Sequence, residues 1–88
     1  MRIRRGLSVR KIGDDYVVEW DCQDVGILIT LNETSYYLWS KLQTRISFTL
    51  NDMVKILTEE YDVNADVAQN DCETLLESWK NSNLIELL

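Results

Sequence analysis

The pattern of apolar and polar positions divides the chain in two. The first third consists of short β-branched runs broken by polar turns, and the remainder repeats its apolar residues at helical spacing. "LSVRKI" at 7–12 and "YVVEW" at 16–20 read as strands, and Gly13, Asp14 and Asp15 between them are a hairpin-turn signal. "DCQD" at 21–24 makes a second polar turn before "VGILITL" at 25–31, the third strand. Three short strands joined by tight turns predict an antiparallel meander.

The next stretch predicts three helices. Asn32 is a suitable N-cap, able to accept from the backbone N–H of Thr34 or Ser35, and Leu31, Leu38, Trp39 and Leu42 then share a stripe. Thr49 followed by Asp52 is a looser capping box for a second helix, with Met53, Ile56, Leu57 and Tyr61 along one side. Asn64 caps the third, which runs to about Asn81. At 100° per residue its core face gathers Ala68, Cys72, Leu75, Leu76 and Trp79. A narrower strip beside it holds Val67, Asp71, Thr74 and Ser78. Asn83, just before "LIELL", is placed to take the left-handed conformation that ends a helix. The fold class expected is α+β and winged-helix-like, with a three-stranded antiparallel N-terminal sheet followed by three helices.

Length restricts this to one domain over residues 1–88, because 88 residues hardly supply two cores. No repeat, low-complexity tract or proline marks a linker. No run of 18 apolar residues occurs, and "MRIRRGLSVRK" lacks the apolar stretch of a signal peptide, so the expected place is the cytoplasm, away from membranes. Cys22 and Cys72 have no CxxC or histidine partner and read as reduced packing residues.

The net charge of −6 conceals an asymmetry: Arg2, Arg4, Arg5, Arg10 and Lys11 lie in the first eleven residues, and the rest carries 4 basic against 15 acidic side chains. The basic arm reads as a solvated tail on an acidic body. Such a body repels phosphate, which makes nucleic acid a poor partner. A winged-helix regulator would present the third helix to DNA, yet that helix holds Asp66, Asp71, Glu73 and Glu77 against the single Lys80. Catalysis is also disfavoured. The chain has no histidine, Gly-rich phosphate loop, nucleophile elbow or HExxH, and Glu59, Glu60 and Asp62 look like a solvated helix end. Neither a cofactor nor a metal is suggested.

"ITLNETSYYLWSKL", "FTLNDMVKILTEEYDV" and "VAQNDCETLLESWKNSNLIE", taken in order over roughly residues 26–87, resemble the PqqD-like proteins, also called RiPP recognition elements. The family pattern is a Leu-Asn-x-Thr junction opening the first helix, a second helix ending near aromatic-Asp-Val, and a third helix carrying an Asp before a short Leu-Ile segment. The resemblance implies a non-catalytic chaperone that binds the leader of a ribosomally made precursor peptide and presents it to a modifying enzyme, often a radical SAM enzyme. It also implies that the leader adds as a strand beside the third strand and lies against the third helix. Carried over, the two walls are Ile27, Leu28, Ile29 and Thr30 on one side and Val67, Asp71, Thr74 and Ser78 on the other.

The residues independently suit this placement, since an edge strand offers unpaired N–H and C=O groups to a second strand. The same open edge also suits a homodimer whose sheet continues across a two-fold axis. Tyr36 falls off the apolar stripe of the first helix and reads as a half-exposed contact, Trp39 as core, and Trp20 as a seat for the N-terminal arm.

Overall fold

In the computed structural model the described residues are 1–20 and 28–87. β1 (Arg2–Ile3), β2 (Leu7–Ile12), β3 (Asp15–Trp20) and β4 (Ile29–Leu31) precede α1 (Glu33–Gln43), α2 (Leu50–Glu60) and α3 (Ala65–Asn81), and β5 (Ile85–Glu86) follows. The architecture is α+β, with the expected three-stranded antiparallel sheet, in the order β2-β3-β4, followed by three helices. The turn at 21–24 with Cys22, and Val25, Gly26 and Ile27 of the expected third strand, lie outside the described residues.

The hairpin follows from its turn. Ile12 stands opposite Asp15, which leaves Gly13 and Asp14 as a two-residue connection. Gly13 has φ +61° at the first central position, where a type II′ turn demands a positive φ that a Cβ would strain. β3 then pairs with β4 in the register Tyr16–Leu31, Val17–Thr30 and Val18–Ile29. Just before β4, the Leu28 N–H donates to the Val18 carbonyl at 2.8 Å.

Each helix begins on the cap its sequence offers. The Ser35 N–H donates to Asn32 Oδ1 at 2.8 Å, and the Asn32 N–H donates to Ser35 Oγ at 2.9 Å. Thr49 and Asp52 satisfy one another's backbone N–H in the same way, and the Asp66 N–H donates to Asn64 Oδ1 at 2.7 Å. These caps occupy amide donors that a helix start leaves unpaired. Leu38, Trp39 and Leu42 of α1, Met53 and Leu57 of α2, and Ala68, Cys72, Leu76 and Trp79 of α3 are buried in one cluster with Val18 and Leu31. At its centre Trp39 and Trp79 meet edge to face, ring centroids 5.1 Å apart, an arrangement that adds to the burial of both rings. Burial pushes the Cys72 thiol up to about 11, with the Asp71 charge adding to the effect, as expected of a packing residue.

The N-terminal arm is not a solvated tail. β1 pairs antiparallel with β5, Arg2 opposite Glu86 and Ile3 opposite Ile85, and Ile3 is buried in the core cluster. The arm is anchored further where the Phe48 N–H donates to the Met1 carbonyl at 2.7 Å and the Arg4 N–H to the Leu84 carbonyl at 2.9 Å. Composition draws attention to its charge, whereas the apolar Ile3, buried in the core, and Met1, packed against it, decide its place. The expectation for Trp20 fits this course: its ring lies about 3.9 Å from where a Cβ would stand on Gly6, the residue that links the arm to β2.

Candidate functional site

β4 is the outer strand of the sheet, and among the described residues no strand pairs with its far side. Leu31 at its end is buried, Ile29 is half-buried and Thr30 is exposed. This alternation follows from the pleat, which sends successive side chains to opposite faces. Among the described residues, then, nothing occupies the outward backbone groups of β4, the kind of edge that can template another strand.

Immediately past β4 the chain enters α1 through the Asn32 cap, and the first turn of α1 faces the middle of α3 across a groove. The groove holds about 350 Å³ and is lined by Asn32, Thr34, Ser35, Asp71, Thr74 and Leu75. Its α1 wall is stiff, because Ser35 Oγ donates to Asn32 Oδ1 at 2.8 Å in addition to the backbone cap. On the opposite wall, Thr74 Oγ1 donates to the Asn70 carbonyl of its own helix at 3.1 Å, and Asp71 is exposed. Leu75 supplies the apolar surface between them and also packs against the core cluster.

Of the residues expected from the sequence, Asp71 and Thr74 line this groove. Val67 and Ser78 lie on the same strip of α3, both exposed, but one turn to either side of the lining. Leu28, Ile29 and Thr30 lie on or beside the free edge, and Ile27 is outside the described residues. Asn32, Thr34, Ser35 and Leu75 were not among the expected site residues. Sequence patterning assigns Asn32 to helix initiation and Leu75 to the core face. The signal for Leu75 was present, since at 100° per residue it sits at the border between that face and the strip.

The aromatic residues nearby behave differently from one another. Tyr36 is half-buried and stacks on Tyr16 of β3, ring centroids 3.7 Å apart and nearly parallel, fastening α1 to the sheet beside β4. Trp39 is core. Tyr37 lies on another side of α1, meets Tyr61 at 5.8 Å and donates to Glu60 at 3.4 Å. Its hydroxyl is held above the ordinary tyrosine range by desolvation and by the Glu60 charge.

The chemistry of the groove is that of a binding surface: hydroxyl and amide groups, one carboxylate and an apolar floor beside an open strand edge. Among the described residues no group of three metal-ligating side chains forms, and no helix is long and apolar enough to cross a membrane.

Comparison with known proteins yields a fold and a family. The structure is similar to that of TbiB1 in complex with the TbiA(beta) leader peptide, with a TM-score of 0.77 and 22% identity, covering 100% of this chain and 98% of that one. No curated protein matched. The profile of the family described as Coenzyme PQQ synthesis protein D (PqqD) matches residues 9–85, most of the 88, and the chain belongs to the PqqD family.

Proposed function

We propose that this protein is a single-domain, non-catalytic chaperone that captures the leader segment of a precursor peptide and presents it to a modifying enzyme such as a radical SAM enzyme. The observation that carries the proposal is the free edge of β4 opening directly beside the groove between α1 and α3. TbiB1, whose fold this chain shares, was solved with a leader peptide bound. A guest strand pairs its backbone with β4, each hydrogen bond contributing about 0.5–1.5 kcal/mol net, and this part of the affinity is indifferent to sequence. Selectivity comes from the guest side chains that point into the groove, where Leu75 receives an apolar group and Asp71 and Thr74 receive a donor.

The test is Thr74→Arg. Thr74 is exposed on a helix surface, where arginine is well tolerated, so circular dichroism and the melting curve are expected to stay close to those of the parent. Calorimetric titration with its cognate leader peptide is expected to weaken at least tenfold, roughly 1.4 kcal/mol, because a long cation occupies the groove. Unchanged affinity would move the binding site elsewhere. The open edge also supports a second reading, a homodimer joined through β4; sedimentation equilibrium separates the two, since a leader-binding monomer keeps its mass at all concentrations.

A further inference from the structure

The end of α1 away from the groove carries a second cavity of different character. Arg2, Ile3 and Arg5 from the arm, and Gln43, Thr44, Arg45 and Ile46 from the end of α1 and the turn after it, enclose about 210 Å³. Three guanidinium groups converge there in a chain of net charge −6. The nearest counter-charges are partial: Glu86 pairs with Arg2, and Asp52 reaches Arg45 only at 3.9 Å. Beside them Ile46 is 87% exposed, the most exposed large hydrophobic side chain among the described residues. Nothing in the local fold uses that side chain, although Phe48, two residues on, is buried.

Guanidinium groups around an apolar anchor have the composition of a protein-binding centre, where arginine is enriched and lysine and acids are depleted. A nucleic-acid ligand fits less well. Its affinity grows with the number of phosphates neutralised, and a duplex long enough to gain them would lie along the acidic surface around this small cavity. An acidic protein segment, by contrast, is repelled by most of the surface and attracted to this face, which orients it before contact. The 11-residue helix α1 separates the two sites, about 16 Å along its axis, so both can be occupied at once.

We propose that the cavity between β1 and the α1–α2 turn is a second docking surface, which takes an acidic protein segment with an apolar side chain set among its carboxylates. The segment is carried by the enzyme that works on the groove-bound peptide. The identity of the carrier rests on the peptide-presenting function proposed above, whereas the chemistry of the segment does not.

The probe is a short capped peptide alternating aspartate and leucine, with a lysine–leucine peptide as its counterpart, titrated into the ¹⁵N-labelled full chain. Amide shifts are expected at Arg2, Arg5 and residues 43–46 with the acidic probe alone. Arg5→Glu with Arg45→Glu is expected to weaken the probe at least tenfold and Ile46→Ser at least threefold, with Thr74→Arg matching the parent. Ile46→Ser changes a largely exposed side chain and keeps the test valid should the double charge reversal disturb folding. The same variants are expected to weaken capture of the enzyme that modifies the groove-bound peptide while leader affinity holds, which separates this site from the groove. Several results would overturn the proposal: shifts centred on Asp71 and Thr74, equal binding of the lysine probe, no effect of Ile46→Ser, displacement of the probe by random duplex DNA, or unchanged enzyme capture. Dimers in sedimentation that the double variant dissolves would also overturn it, by making a second copy the occupant.

Discussion

Asn32 and Asn83 are the same residue type at opposite kinds of helix boundary, and each uses a different property of asparagine. Asn32 is extended and lends its side-chain oxygen to the α1 cap, whereas Asn83 takes φ +62°, a left-handed backbone that asparagine tolerates better than most residues. That turn delivers Asn83 to Arg4, which donates from Nε to its carbonyl at 2.8 Å and from an Nη to its Oδ1 at 3.0 Å. Three residues further on, Glu86 accepts from Arg2, with Arg4 and Arg5 adding their charges, and these contacts hold its carboxyl below the ordinary glutamate range. A carboxyl with a lowered folded pKa binds its proton less readily in the fold than in the unfolded chain. Its contribution is complete above the ordinary glutamate value, about 4.3, and is lost as pH falls through the lower folded value. Glu86→Gln is therefore expected to flatten the acid limb of the stability curve, read from melting temperatures of the two proteins as pH is lowered from neutrality. Asp52, also lowered through its backbone bond to Thr49, titrates in both proteins, so the difference isolates Glu86. Parallel curves would show that the arginines contribute nothing net there.

At the scale of elements, legibility in the sequence follows length and periodicity. α1, α2 and α3 were readable because each joins a capping side chain to an apolar stripe of at least two turns, and the β2–β3 hairpin because Gly13 marks its turn. β1 and β5 were not, for a physical reason: two-residue strands have no period, and their pairing joins Arg2 to Glu86, almost the full length of the chain apart. Charge alone then suggested a tail, although Ile3 carries the arm into the core. Deleting residues 1–5 removes this strand, exposes its partner Ile85 and deprives the core of Ile3, a loss of about 1.5–3 kcal/mol for one such side chain. Differential scanning calorimetry is expected to show a fall in melting temperature of several degrees or more, at about 4–8 °C per kcal/mol for a domain of this size. An unchanged melt would return the arm to the status of a tail.

For the whole molecule, the sequence indicated the α3 wall of the groove better than the wall that faces it. The strip Val67, Asp71, Thr74 and Ser78 follows from helical geometry within a single element, but which part of it borders the groove depends on where α1 packs. Its first turn sits across from Asp71 and Thr74, and only tertiary packing decides that. One feature of the assembled site also bears on time. β4 spans Ile29–Leu31, and along these three residues a guest gains few backbone hydrogen bonds. For a complex of micromolar strength, with an ordinary association rate of about 10⁶ M⁻¹s⁻¹, the guest departs within roughly a second. On the role proposed above, a guest held this lightly exchanges quickly, so one molecule can be reloaded many times.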